Sequence, residues 1–157
     1  HLRTQSLYQP KYKDCVLKWQ LGIDFRGRII MWTGPHLGVS SDKTIWEDTW
    51  EDHRFFPWER WLADLGYVGA FGLLVKFKGV LSRRRHYFNN VHEFVRNRIE
   101  QIVGRIKNHR IFEQGVYSGN VDFLISVTNL IGHVTAYELS QYQPFDAYGP
   151  WPHGPPP

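Results

Sequence analysis

An apolar stripe along one face of the predicted helix Asn89–Arg110 constrains the fold more than any other feature. The apolar residues recur at intervals of three and four, the spacing that places side chains on one face of an α-helix. The members of this stripe are Val91, Val95, Ile99, Ile102, Val103 and Ile106. Such a helix is stabilised mainly by packing its apolar face against other elements, so the chain is expected to build a core.

A β-hairpin is predicted in the first third of the chain. Val16–Ile23 (VLKWQLGI) alternates apolar and polar residues, which is the period of a half-buried strand. Asp24–Gly27 has the composition of a turn, because Asp initiates turns and Gly tolerates a positive φ. Arg28–Thr33 then supplies the second strand, and Gly34–Gly38 is expected to end it.

The remaining elements follow in a mixed order. Ser41 or Asp42 is expected to cap a helix that runs to about Trp50. The others are a strand at Arg60–Ala63, a strand at Gly72–Lys78, a basic loop at Gly79–Tyr87, and a helix at Gly119–Leu139 with apolar residues Phe123, Leu124, Leu130, Ile131 and Val134. This order of strands and helices predicts an α/β fold with an antiparallel hairpin at one side.

Composition excludes several classes of protein. A chain of 157 residues with 42% hydrophobic residues can form one domain with a core, which excludes a wholly disordered protein. The single cysteine, Cys15, excludes a disulfide framework and a cysteine-based zinc ribbon. No apolar run reaches about 18 residues, so no membrane partner is expected. Because residues 144–157 are rich in Pro and Gly, we expect a domain at 1–143 and an unpacked tail at 144–157.

The charge is unevenly distributed along the chain. The net charge is +4, but acidic residues concentrate in Trp46–Arg60 and basic residues in Lys76–Arg110. A basic segment of this kind is able to bind phosphates, although a solvated helix face explains it equally well.

Three carboxylates are the best candidates for chemistry, since no phosphate loop, nucleophile elbow or zinc motif is present. Asp64 follows a short strand and precedes a glycine turn, a position that often carries function in α/β folds, although a turn residue is the more favoured explanation. Asp42 is explained by helix capping alone. Glu100 lies at the border of the apolar stripe, on the same flank as Arg96 and Lys107, where an i,i+4 ion pair is the simpler interpretation.

Three segments, in order, resemble the PIF/Harbinger-type DDE transposases. DFRGRIIMWTGPHLGVSSDKTIW (Asp24–Trp46) is similar to their hairpin, glycine-bounded loop and "G-s-v-x-D" motif. LADLGYVG (Leu62–Gly69) is similar to "l-a-D-x-G-Y-x-G". FNNVHEFVRNRIEQIVGRIKNHRIF (Phe88–Phe112) resembles a helix of that family. The Arg, Glu, Gly and Lys of the family's helix motif fall here on Arg96, Glu100, Gly104 and Lys107.

The resemblance implies an RNase H-like mixed sheet flanked by helices, with an Asp-Asp-Glu metal site. It assigns Asp64 as the second catalytic Asp, Glu100 as the catalytic Glu, and Asp42 as a further metal ligand. Carboxylate oxygens favour Mg²⁺ or Mn²⁺, which are the implied cofactors. Arg96 and Lys107, which match the motif and lie near Glu100, are expected to bind DNA phosphates, and Arg105 and Arg110 in the same basic segment are expected to bind them as well.

The family's first catalytic Asp and its central strand would precede His1. We therefore expect the chain to be the C-terminal part of a catalytic domain, missing that strand and inactive as a nuclease by itself. The longer parent is expected to act on transposon ends, in the nucleus if its host is a eukaryote. A separate DNA-binding protein and self-association are left open as partners.

Two other functions remain open at this point. One is a domesticated or decayed transposase-derived domain that binds DNA or a protein without cleaving. The other is an unrelated basic α/β binding domain, in which the carboxylates are only caps and ion pairs.

Overall fold

The computed structural model describes residues 8–9, 14–52, 56–113 and 120–142. The chain divides into two compact units, unit 1 with His1–Gln20 and Thr33–Glu93, and unit 2 with Leu21–Trp32 and Phe94–Pro157. The described residues contain both helices and small sheets, which confirms the mixed α/β class. The tail predicted at 144–157 lies outside the described residues, and the domain boundary before it stays a prediction.

The described strands form three two-stranded sheets. Strand β1 (Tyr8–Gln9) pairs with β2 (Asp14–Cys15), β3 (Leu17–Ile23) with β4 (Ile29–Leu37), and β5 (Trp61–Leu62) with β6 (Leu73–Leu74). The first pair is antiparallel and the third is parallel, with Trp61 opposite Leu73. The RNase H-like arrangement of a single mixed sheet, with its first strand missing, stays a prediction.

The β3–β4 hairpin confirms the predicted strands and turn. Asp24 Oδ1 accepts from the backbone N–H groups of Arg26 and Arg28, each at 2.9 Å, and Gly27 takes a φ of +84°. The break predicted at Gly34–Gly38 is wrong, because β4 continues to Leu37. Gly34 makes this continuation feasible, since its φ is +145° and an added Cβ would lie 2.6 Å from Trp19 Cδ1.

Helix α1 (Asp42–Thr49) supplies buried residues of unit 1, Ile45 and Trp46. Ser41 caps it by accepting from Thr44 N at 3.0 Å. A 3₁₀ turn (Trp50–Asp52) follows, and a second one spans Leu65–Tyr67.

Helix α2 (Arg83–Lys107) begins earlier and ends earlier than predicted. The basic loop expected at Gly79–Tyr87 is wrong from Arg83 onward, because no Gly or Pro stands between Ser82 and Asn89 to stop helical hydrogen bonding. The strand expected at Gly72–Lys78 shrinks to β6. After a break at Asn108, Arg110 belongs to a separate short helix, α3 (Arg110–Glu113).

In the core of unit 2, helix α4 (Val121–Gln141) packs against the predicted apolar stripe of α2. The buried apolar residues of this core are Ile102, Ile106, Ile131 and Leu139. Of the apolar residues expected in α4, Phe123, Leu130 and Val134 are exposed. The buried face of α4 instead carries small and polar residues as well, Thr128, Gly132 and Thr135 among them. Among the described residues, no helix has the length and hydropathy of a membrane span.

Candidate active site

Asp64 lies just beyond the end of strand β5, as the sequence predicts. Its Oδ1 accepts from Leu65 N at 2.7 Å, so Asp64 caps the 3₁₀ turn Leu65–Tyr67. The residue before it, Ala63, donates its N–H to Leu74 O at 2.9 Å. Ala63 O in turn accepts from His92 Nε2 at 2.9 Å. Both the N–H and the C=O of Ala63 are therefore hydrogen-bonded, which fixes the backbone just before Asp64.

Asp42 occupies the first turn of α1 but does not cap it, because that role belongs to Ser41. Its Oδ1 lies 3.6 Å from Lys18 Nζ, which also donates to Ser40 O at 2.7 Å. Its Oδ2 faces the 3₁₀ turn that Asp64 caps, since a Cβ added to Gly66 would lie 3.1 Å from that oxygen. The two aspartates thus occupy adjacent segments of unit 1.

Tyr67 and Gln20 link these segments, and neither was expected from the sequence. Gln20 is 4% exposed, and its Nε2 donates to Asp42 O at 2.9 Å and to Tyr67 Oη at 3.1 Å. Burial raises the pKa of Tyr67 to about 12, and the negative charges of Asp42 and Asp64 contribute in the same direction. The Gln20 hydrogen bond acts in the opposite direction on this pKa. The carboxylates of Asp42 and Asp64 therefore both disfavour ionisation of the Tyr67 hydroxyl.

Two buried polar atoms near this region have no hydrogen-bond partner among the described residues, Gln20 Oε1 and His92 Nδ1. Each belongs to a side chain that holds the backbone of an acidic segment, through Asp42 O and Ala63 O respectively. The hydrogen bonds that these two side chains do make fix the backbone at Asp42 and just before Asp64.

Glu100 lies in unit 2, on the exposed side of α2. Its Oε1 lies 3.1 Å from Arg96 Nη2, which confirms the predicted i,i+4 ion pair. Arg105, Lys107 and Arg110 are exposed. Because Asp42 and Asp64 belong to unit 1, the convergence of all three carboxylates stays a prediction.

The donor chemistry of unit 1 suits a hard divalent cation only in part. Asp42 and Asp64 supply carboxylate oxygens, the ligands that Mg²⁺ and Mn²⁺ prefer. Within the described part of either unit, no three His, Cys, Asp or Glu side chains are grouped to hold an ion. Asp42 and Asp64 would supply two carboxylate ligands to such an ion, and at least one further ligand is needed.

A family comparison decides the class of this protein. The family model for DDE superfamily endonucleases matches residues 2–136. The chain belongs to the DDE superfamily endonucleases. The match includes Asp42, Asp64 and Glu100, and it supports nuclease or transposase activity. No curated protein and no solved structure matches the chain.

Proposed function

We propose that this DDE superfamily endonuclease is part of a Harbinger-like transposase, or of a nuclease derived from one, that cleaves or transfers DNA strands with a divalent metal. The family match over residues 2–136 carries the proposal. The adjacent placement of Asp42 and Asp64 in unit 1 supports it, because a metal-dependent nuclease needs clustered carboxylates.

Asp64 and Glu100 are the proposed catalytic residues, and Asp42 is a further metal ligand. A bound Mg²⁺ or Mn²⁺ would activate a water or 3′-hydroxyl and stabilise the leaving oxygen. The chain's own contribution is to orient the carboxylates. The cap bond to Leu65 N orients Asp64, and the ion pair with Arg96 restrains Glu100.

The proposed contacts to DNA in unit 2 come from the four cations expected from the sequence, Arg96, Arg105, Lys107 and Arg110. Arg105 and Lys107 stand in the last turn of α2, and Arg110 opens α3. Exposed cations at these positions suit phosphate contacts, which position a duplex without reading its sequence. Transposon ends as substrate, a separate DNA-binding protein, self-association and a nuclear location in a eukaryotic host belong to the same proposal.

Substitution of Glu100 by Gln tests the proposed reaction. Gln keeps the volume and hydrogen-bonding reach of Glu but removes the charge that would hold an ion. We expect Mg²⁺-dependent cleavage of a terminal-repeat duplex to fall below detection, with little change in thermal unfolding. The assay is run on this chain and on one extended upstream along its natural reading frame, and activity is expected only in the longer protein.

Glu93→Gln is the matched control, because Glu93 is also an exposed α2 residue held in an ion pair, with Lys76 Nζ at 2.8 Å. It should leave cleavage intact. Retained cleavage by a folded Glu100→Gln protein would remove Glu100 from the metal site. A folded, extended chain that binds DNA but never cuts it would instead support the domesticated, non-cleaving function.

A further inference from the structure

The segment between Asp64 and Glu93 is unusually rich in positive charge. Residues 65–92 contain no Asp or Glu. They contain five basic residues other than histidine, Lys76, Lys78, Arg83, Arg84 and Arg85. All of them belong to unit 1, whereas Arg96, Arg105, Lys107 and Arg110 belong to unit 2.

The loop that carries Lys76 and Lys78 is fastened to α2, whose first turn carries the three arginines. Asn89 Oδ1 accepts from Phe77 N and Asn89 Nδ2 donates to Phe77 O, both at 2.9 Å. The Phe77 ring packs edge-on against Phe88 at 5.3 Å, and the Arg85 guanidinium lies 5.0 Å from the centre of the Phe77 ring. The loop is therefore held at both its backbone and its aromatic side chain.

Three of the cations are left without a counter-charge. Lys76 pairs with Glu93, and Arg85 stacks on Phe77. Lys78, Arg83 and Arg84 are exposed, and among the described residues none of them has a carboxylate or hydrogen-bond partner. We call Lys78, Arg83, Arg84 and Arg85 the arginine corner.

Stability does not explain the arginine corner. Arg83, Arg84 and Arg85 open a 25-residue helix with no acidic residue in its first turn. Cations at that end of a helix oppose the helix dipole and repel one another, so the placement is unfavourable for folding. A cluster of exposed cations on a helix start and the loop fastened to it instead suits a polyanion, which relieves that repulsion when it binds.

We propose that the arginine corner binds the sugar-phosphate backbone of DNA. Guanidinium groups donate in pairs to phosphate oxygens, and successive residues leave a helix at about 100° intervals, so neighbouring arginines reach different phosphates. Phosphate oxygens are the acceptors that exposed guanidinium and ammonium groups bind most readily, and they carry no base identity. The contact therefore fixes the duplex without reading its sequence.

The choice of DNA as the ligand of the arginine corner rests on the proposed function. Binding is measured without cleavage, so that it is tested independently of the nuclease reaction. The probe is a fluorescently labelled 30-base-pair duplex in EDTA, with binding followed by anisotropy at several salt concentrations. Arg83→Gln/Arg84→Gln is expected to weaken binding about ten-fold near 0.1 M salt. The slope of log K against log salt should fall by about 1.8, because each phosphate contact contributes about 0.9.

Arg26→Gln/Arg60→Gln is the matched control, since it removes the same charge at other positions of the chain. It is expected to change affinity less than two-fold, and Arg83→Lys/Arg84→Lys is expected to keep the salt slope. Unfolding curves establish that each variant is folded. An unchanged slope in Arg83→Gln/Arg84→Gln, or an equal loss in the control, overturns the proposal. Tighter binding of polyglutamate than of DNA also overturns it, in favour of an acidic protein partner.

The two proposals fail separately. If Glu100→Gln still cuts DNA while the arginine corner variants lose affinity, the metal role is wrong and the corner stands. If the corner variants bind duplex normally while Glu100→Gln abolishes cleavage, the corner is wrong and the nuclease assignment stands.

Discussion

Replacing Gly132 by alanine should destabilise the protein, although the same change usually stabilises a helix. Gly132 is a buried residue of α4. In a helix interior, alanine is favoured over glycine by about 0.8–1.0 kcal/mol because it restricts the unfolded chain. At Gly132 the added Cβ would lie 2.5 Å from Trp32 Cε2 and 2.8 Å from Trp32 Nε1. These distances require the indole or the helix to move.

The magnitude follows from what that movement disturbs. The clashing atoms belong to the rigid, fused part of the indole, so no small rotation of a chain end relieves the contact. Overpacking of a core costs about 1–3 kcal/mol. The hydrogen bond from Trp32 Nε1 to Asn129 Oδ1, at 3.3 Å, would also weaken, at a cost of about 1 kcal/mol. After the helix propensity gain, we expect a net loss of about 1–3 kcal/mol.

Gly104→Ala is the control, because Gly104 also lies inside a helix of unit 2 but an added Cβ there meets nothing within 4 Å. It should stabilise the protein by about 1 kcal/mol. Urea unfolding followed by circular dichroism measures both, as opposite shifts of the midpoint at an unchanged m-value. If Gly132→Ala stabilises the protein as much as Gly104→Ala does, Trp32 does not pack on α4 as described.

Four further predictions concern unit 1. Tyr67, whose pKa is raised to about 12, contributes stability that is present below about pH 10 and lost as pH rises through 12, so Tyr67→Phe should flatten this loss in alkaline unfolding curves. Asp42→Asn should lower the pKa of Tyr67, seen by difference absorbance at 295 nm, because it removes a negative charge that disfavours the phenolate. Ser41→Ala should cost about 1 kcal/mol in urea unfolding through loss of the helix cap, and an unchanged midpoint would contradict that role. Asn89→Ala should release Phe77 and weaken duplex binding in the anisotropy assay, whereas unchanged affinity would show that the loop needs no such anchor.

The elements that the sequence predicts well are those fixed by local signals. The turn at Asp24–Gly27 forms because the Asp24 carboxylate bonds to backbone groups within four residues. Helix α1 starts where Ser41 caps it, for the same reason. The ion pair between Arg96 and Glu100 follows from i,i+4 spacing alone.

The wrong predictions concern features that depend on residues far away in the sequence. Gly34 and Pro35 are typical of a chain break, but the strand continues because Gly34 packs against Trp19 of the neighbouring strand. Apolar side chains in a predicted helix are expected inside, yet α4 buries Gly132 against Trp32 and leaves Phe123 exposed. Neither the continuation of β4 nor the buried face of α4 follows from the sequence of that element alone.

The candidate site shows the same division. Asp64 was predictable from its place at a strand end, and Asp42 from its place at a helix start. Gln20 was not, because it bonds to groups 22 and 47 residues away. Tyr67 stood inside a motif, but its effect comes from the charges of two separate segments.

A local rule of stability is broken at the start of α2, and it has a counterpart in the proposed chemistry. The arginines that open α2 oppose the helix dipole, and no acidic residue stands in the first turn to offset them. An acidic first turn would relieve this cost, so stability alone does not explain three arginines at this position. Cations at this end of a helix are expected where a surface must accept an anion. Their unfavourable placement therefore supports the proposed DNA binding more strongly than the net charge does.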